Sequence, residues 1–270
     1  MTPEDMEQGL AEICESPVSR ITRFAGGEIS GASRVDLADG RAVVAKSGPM
    51  VEREARMLEA MVQTGAPVPA VLGTATDLLV MEYVGAGAAM DSYGWEALAQ
   101  GLQALRNVDH PKYSWHEGYA LREVAVINDM RSNWADFWRD NRLLCHLRYL
   151  PAGLAARVEA LAAKLTEILP ASPKPALVHG DLWGGNVVAQ PAGKVWLIDP
   201  CAYYGDREVD AASLTVFDAP PDSFFDALEF DPGWRERQPV YRLWMWLVHV
   251  RLFGESYRPA AERDLALLGF

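Results

Sequence analysis

Cysteine is scarce in this 270-residue chain: Cys14, Cys145 and Cys201 stand far apart, with no CxxC pair. An odd, dispersed set excludes a disulfide framework and a cysteine-based zinc site, and it fits packed thiols in a reducing compartment. Long apolar runs are missing too. The longest, Leu243 to Val248, falls far short of the roughly 20 residues that cross a bilayer. Positive charge is in deficit: 25 Lys and Arg against 37 Asp and Glu leave a net charge of −12. Such a chain is ill-suited to tracking a nucleic-acid backbone or lying on an anionic membrane. The opening MTPEDMEQGLAEICES lacks the basic and apolar regions of a signal peptide. The expectation is a cytoplasmic protein without nucleic-acid or membrane partners. Repeats and low-complexity tracts are absent, and half of the residues are apolar, enough for a sizeable core in one large domain or two small ones.

What is present falls into two halves. Thr2, Pro3, Glu4 and Asp5 form a helix start, followed by the apolar face of Met6, Leu10, Ile13 and Cys14. Residues 20–46 read as strands with an Asp39-Gly40 hairpin turn. A helix follows from Pro49 to about Gln63, then a strand over 77–84 closed by Gly85 and Gly87. Helical periodicity dominates afterwards, at 95–105, 134–146, 153–169 and 240–252, around a β island at 176–199. The pattern predicts an α+β, two-lobed fold. Residues 1–84 form a small antiparallel sheet with one key helix, and 85–270 a mostly helical lobe. Ligands usually bind in the cleft between such lobes.

The chemistry concentrates in HGDLWGGN, residues 179–186, and in WLIDP, residues 196–200. Asp181, Asn186 five residues on and Asp199 after the next strand are the residue types phosphoryl transfer needs. One carboxylate takes the proton of an acceptor hydroxyl; an amide oxygen and a second carboxylate hold Mg²⁺ against the phosphates. The spacing of Asp181 and Asn186 is that of a kinase catalytic loop, and Asp199 is followed by Pro where a kinase has Phe. Lys46 ends a strand and is one of five lysines against twenty arginines. At about 100° per residue, Val51, Ala55, Leu58, Met61 and Val62 share one stripe, and Glu54 falls inside it. A carboxylate on an apolar face needs a partner, and Lys46 is the natural one. Gly26 and Gly27, with Gly31, form a turn whose backbone can approach phosphates. The backbone of Glu82 and Val84 lies where a hinge would hydrogen-bond the adenine of ATP. Trp183, inside the catalytic loop, can stack on a flat or sugar-like acceptor; packing beneath the loop is its other reading. His249 reads as a satisfied core histidine.

On these residues the sequence resembles the fructosamine kinases, or ketosamine-3-kinases, a branch of the aminoglycoside-phosphotransferase-like, protein-kinase-like fold. GGEISGASRV with VVAK, VEREARMLEA, NWADFWRDNRL, HGDLWGGN, IDPCAYYGDREVDAA and the segment from Pro232 to Tyr257 carry the resemblance across nearly the whole chain. It implies ATP- and Mg²⁺-dependent phosphorylation of a ketoamine hydroxyl, on a small molecule or a protein lysine, in a deglycating role. It makes Asp181 the catalytic base, Asn186 and Asp199 the metal ligands, and Lys46 with Glu54 the phosphate-orienting pair. The sequence departs from the family at Asp206, at residues 119–128 and at VHVRLFG, all expected to border the acceptor pocket. Two alternatives stand beside this reading. One is a kinase of an aminoglycoside or other amino alcohol, which acids such as Asp218, Asp222 and Asp231 would suit; the other is a nucleotide-binding protein without catalysis. No oligomeric state follows from the sequence; a monomer is one option.

Overall fold

A computed structural model describes residues 2–24 and 31–270. Helix α1 (Pro3–Cys14) starts on the expected cap: the Thr2 hydroxyl accepts from the Asp5 N–H at 3.1 Å. Strands β1 (Val18–Arg23), β2 (Ala32–Leu37) and β3 (Ala42–Ser47) follow, then helix α2 (Val51–Thr64) and strands β4 (Val71–Ala75) and β5 (Leu78–Glu82). The five strands form one antiparallel sheet in the order β1-β2-β3-β5-β4. Gly40 turns the β2–β3 hairpin in the left-handed region at φ 87°, as the Asp-Gly signal predicts.

Both faces of this sheet are covered, which explains why β5 reads as an unbroken apolar run. Leu78 and Val80 pack with Val43, Ala45 and Leu10 of α1, while Leu79 and Met81 join the larger core that contains α2. Strand alternation therefore turns Lys46 away from the α1 side and toward α2 and the cleft. The buried arc of α2 runs through Val51, Glu54, Ala55, Met57, Leu58 and Met61. Val62, expected in that stripe, is instead 44% exposed, and Met57 is buried in its place. The arc drifts round toward Met57 and Thr64, leaving Val62 outside at the far end of the helix.

The second lobe begins with α3 (Ser92–Ala104), a β6 (Tyr119–Leu121) and β7 (Val124–Val126) hairpin, and α4 (Trp134–Trp138). The continuous helix expected over 134–146 breaks at Trp138 into a π turn at 139–143 and a 3₁₀ segment at 144–149. The widened turn lets two consecutive side chains reach the preceding segment: Asn141 donates to the Asp129 carbonyl, and Arg142 to the Ile127 carbonyl and the Asn128 amide oxygen. The helix expected over 153–169 is likewise split, into α5 (Ala152–Ala162) and α6 (Leu165–Ile168), a break that keeps Leu165 buried with Val158 and Leu161.

Short strands β8 (Ala176–Val178), β9 (Val187–Gln190), β10 (Lys194–Leu197) and β11 (Tyr203–Gly205) make up the β island. Helices α7 (Glu208–Leu214), α8 (Asp222–Leu228), α9 (Trp234–Phe253) and α10 (Arg258–Leu267) complete the lobe. Among the described residues no helix is long and apolar enough to cross a membrane, and all three cysteines are free.

Candidate active site

Lys46 and Glu54 meet in the interior. Lys46 Nζ lies 2.6 Å from Glu54 Oε1 and 3.0 Å from Asp199 Oδ1, with Lys46 4% and Glu54 3% exposed. Burial works against the Lys46 charge, but the two carboxylates outweigh it and hold its pKa above the ordinary lysine value. Glu54 is pushed up by burial, which the Lys46 ammonium offsets in part. The contact with Asp199 ties the sheet-bearing lobe to the helical one.

The catalytic-loop candidates are fixed from below. Gly180 has φ 79°, and a Cβ there would fall 2.1 Å from the Cys201 carbonyl oxygen, so only glycine fits. The buried Asp210 carboxylate accepts the N–H groups of His179 and Gly180 at 2.7 and 2.9 Å. His179 spans the gap between this loop and the strand before Asp199. Its Nε2 is 2.8 Å from the Ile198 carbonyl, and its Nδ1 lies 3.3 Å from the Asp181 N–H. That geometry requires a neutral ring donating from Nε2 and accepting at Nδ1. Burial, opposed by the Ile198 carbonyl and the Asp199 charge, holds the His179 pKa down to about 4. Asp210 and His179 thus set the backbone on which Asp181 sits. Sequence reasoning missed Asp210; the available signal was an acid within EVDAASL, a helix buried on every side.

Asp181, Asn186 and Asp199 come together as expected. Asn186 Nδ2 donates to the Asp181 carbonyl at 2.7 Å and lies 3.3 Å from Asp181 Oδ2. Asp199 adopts φ 56°, a left-handed conformation that non-glycine residues avoid and that costs on the order of 1 kcal/mol. Burial first, and the Asp199 carboxylate second, push the Asp181 pKa up to about 7. A carboxylate balanced between protonated and ionised forms near neutral pH suits a general base.

The remaining candidates are less uniform. Gly26 and Gly27 lie outside the described residues. At the hinge, the Glu82 N–H is already committed to the Ala70 carbonyl at 2.9 Å, and the Val84 carbonyl accepts from the Gln190 side chain. Trp183 is 39% exposed, and its indole lies over Gly185, where a Cβ would collide with the ring. His249 is half-buried; its Nδ1 is 2.8 Å from the Met245 carbonyl, and burial lowers its pKa.

Two departures from the expected pattern occupy different places. Asp206, expected to border the acceptor pocket, is 2% exposed and accepts from the Tyr241 hydroxyl at 2.8 Å. It is an interior anchor, because Tyr241 in turn accepts from Trp134 Nε1 at 2.9 Å. Residues 119–126 instead form the β6–β7 hairpin beside the site. The Tyr119 phenol is pushed far up, by burial first and then by the charges of Glu54, Cys201, Asp199 and Asp181. Of the acids near the C-terminus, Asp218 accepts the Gly184 N–H, whereas Asp222 and Asp231 are exposed and lie 3.3 Å from Arg235 and 3.6 Å from Arg207.

Comparison with known proteins places the chain in a family. A sequence profile of the fructosamine kinase family matches residues 4–268. A Thermus thermophilus protein, provisionally named a ketoamine kinase, is 33% identical over 255 residues, covering 89% of this chain and 91% of its own. The crystal structure of a Thermobifida fusca protein, provisionally named a fructosamine-3-kinase, superposes with a TM-score of 0.90 at 28% identity and covers 99% of both chains. An aminoglycoside phosphotransferase solved with AMP-PNP and hygromycin B shares the fold, with a TM-score of 0.68 at 18% identity over 98% of this chain and 97% of its own. Fold and relatives define a phosphotransferase with a hydroxyl acceptor, on the aminoglycoside-phosphotransferase-like, protein-kinase-like fold. Within that class, the chain belongs to the fructosamine kinase family.

Proposed function

We propose that this protein transfers the γ-phosphoryl group of ATP, with Mg²⁺, to a sugar hydroxyl of a ketoamine, free or on a protein lysine, and so takes part in deglycation. The observation that carries this reading is the convergence of Lys46, Glu54 and Asp199 across the cleft, beside Asp181 and Asn186. Residues 1–84 serve as the nucleotide-binding lobe and 85–270 as the catalytic and acceptor-binding lobe.

Each side chain has a physical task. Lys46, oriented by Glu54, supplies positive charge to the α- and β-phosphates. Gly26 and Gly27 are assigned to the same phosphates from the sequence alone. The Glu82 carbonyl and the Val84 N–H are the hinge groups that face adenine. Asp181 orients the acceptor hydroxyl and takes its proton as the phosphoryl group leaves ATP. Trp183 offers an indole face to the acceptor sugar.

The donors fit Mg²⁺, which takes one or two protein oxygens and fills the rest with phosphate and water. Asn186 spends its amide nitrogen on Asp181 and keeps Oδ1 for a cation, and Asp199 already faces the Lys46 charge. Those two residues would hold the ion, which when bound spreads the charge of the phosphate oxygens.

The test is Mg·ATP-dependent phosphorylation of ribulose-lysine, fructose-lysine, erythrulose-lysine and one aminoglycoside, side by side. Turnover of at least one ketoamine well above the aminoglycoside is expected. Turnover of the aminoglycoside alone contradicts the acceptor assignment, and nucleotide binding without any transfer contradicts the catalytic one.

A further inference from the structure

From the catalytic loop, aromatic rings follow one another in unbroken succession. Trp183 of the catalytic loop meets Phe217 edge-on at 5.8 Å between centroids, Phe217 meets His249 at 5.0 Å, and His249 meets Phe253 at 5.4 Å. In a chain whose other large side chains are mostly buried, Trp183, Phe217 and Phe253 remain 39%, 44% and 43% exposed. The strip starts two residues from Asp181 and ends under a cation, since the Arg122 guanidinium lies 6.0 Å above the Phe253 ring.

Arg122 sits at the tip of the β6–β7 hairpin, and the root of that hairpin reaches the catalytic centre. Tyr119, three residues earlier, has its phenol within the field of Asp181, Asp199 and Glu54. Arg53, next to Glu54 on α2, clamps the root by donating to the Gly118 carbonyl at 2.6 Å. The tip is strained: Arg122 has φ 52°, a left-handed conformation in which a long side chain is disfavoured. Among the described residues no carboxylate pairs with Arg122. A strained arginine without an internal partner, at the open end of a ring-lined strip, is arranged for an external anion.

Resting on the ketoamine reading above, we infer that Arg122 binds the α-carboxylate of the acceptor, so that the preferred substrate is the Nε-ketoamine of a free lysine and not of a lysine within a protein. The dimensions agree. Three residues of extended chain separate Arg122 from Tyr119 by on the order of 10 Å. The single bonds between a ketoamine's sugar hydroxyls and the α-carboxylate of its lysine also span on the order of 10 Å. The aliphatic lysine stem and its ammonium lie along the rings between the two ends, where dispersion and cation–π attraction both act. In a protein that α-carboxylate is an amide, and the Arg122 contact is lost.

The experiment compares the Nε-ketoamine of Nα-acetyllysine with its α-carboxamide, in the wild type and in Arg122→Gly. Glycine is the residue best suited to this backbone conformation, so removing the cation does not endanger the fold. The wild type should show a KM about tenfold lower for the carboxylate, the scale of one charge-assisted contact, and in Arg122→Gly the ratio should fall to near one. Equal KM values in the wild type, or a preference that survives Arg122→Gly, overturn the assignment to Arg122 while leaving the ketoamine reading intact. The sugar is the one turned over fastest in the ketoamine panel above; if none of the panel's ketoamines is phosphorylated, the ketoamine reading falls and this inference with it.

Discussion

The protein contains two kinds of buried ion pair, built for opposite ends. In the helical lobe Arg237 grips Glu208 through two parallel contacts of 2.9 and 2.6 Å, and Arg242 grips Asp264 in the same way at 3.0 and 2.6 Å. The Trp246 indole N–H adds a contact to Asp264 at 2.8 Å. These forks saturate their carboxylates and leave nothing to exchange. In the cleft the cation is Lys46, a point charge with three donors, of which two are spent on Glu54 and Asp199. A compact ammonium can redistribute among carboxylates and phosphates, whereas a planar guanidinium in a matched fork cannot without losing both contacts. The chain has four arginines for every lysine, yet the charge that is shared across the cleft is carried by a lysine, and the two forks by arginines.

Breaking each pair separately should give opposite results. Arg237→Ala leaves Glu208 buried and unpaired, and unfolding free energy should fall by about 3 kcal/mol, with kcat retained below the melting transition. Lys46→Arg keeps the charge but misplaces it. The turnover of that variant should fall about 100-fold, nearly 3 kcal/mol of transition-state stabilisation, with little change in melting temperature. Equal activity losses in the two variants would erase the distinction. Denaturation curves and kcat on the same preparations decide it.

Proton binding sharpens the comparison next. Asp181 must be ionised to accept a proton, and its carboxyl is pushed up to about 7. Log kcat/KM for the free enzyme should therefore rise with pH, by about one decade per unit below 7, and level above it. A flat profile from pH 5 to 8 would remove Asp181 from the rate. In the structural region, burial and the neighbouring Glu208 push the Asp206 pKa up to about 6. Because this value is raised, the folded protein keeps a proton that the unfolded chain releases above its ordinary value near 3.8. Stability contributed by that proton is present below the unfolded value and lost as pH rises through the folded one. Asp206→Asn should flatten the fall in melting temperature between pH 4 and 7, by at most about 3 kcal/mol in stability. An unchanged slope would assign the pH dependence to the other buried acids, Asp210, Asp181 and Glu54.

Much of the catalytic half was legible in the sequence because its signals are local or periodic. Spacing relates Asp181 to Asn186, and a helical projection places Glu54 on the buried arc that faces Lys46. The departures arise where long-range contacts decide. The helix expected over 134–146 carries a regular apolar pattern, yet Asn141 and Arg142 reach back to residues 127–129 and open a π turn. Asp206 looks like a pocket residue beside the acceptor until Tyr241, distant in sequence and itself held by Trp134, donates to it. The β6–β7 hairpin has strands of only three residues, too short for alternation to emerge. Its position depends on clamps from Arg53, Arg56 and Arg142 that no local pattern reveals. The acceptor side of the cleft was therefore the less readable one.

The central claim is that Asp181 takes the acceptor proton while Lys46, Glu54, Asn186 and Asp199 hold the nucleotide. The direct measurement is Asp181→Asn, with Mg·ATP binding by calorimetry and phosphoryl transfer to a ketoamine followed on one preparation. The account predicts nucleotide affinity within a few fold of wild type and a transfer rate lower by about 10³. Transfer at the wild-type rate would contradict the assignment of Asp181 as the base. Loss of nucleotide binding together with transfer would contradict the division of labour between the two groups.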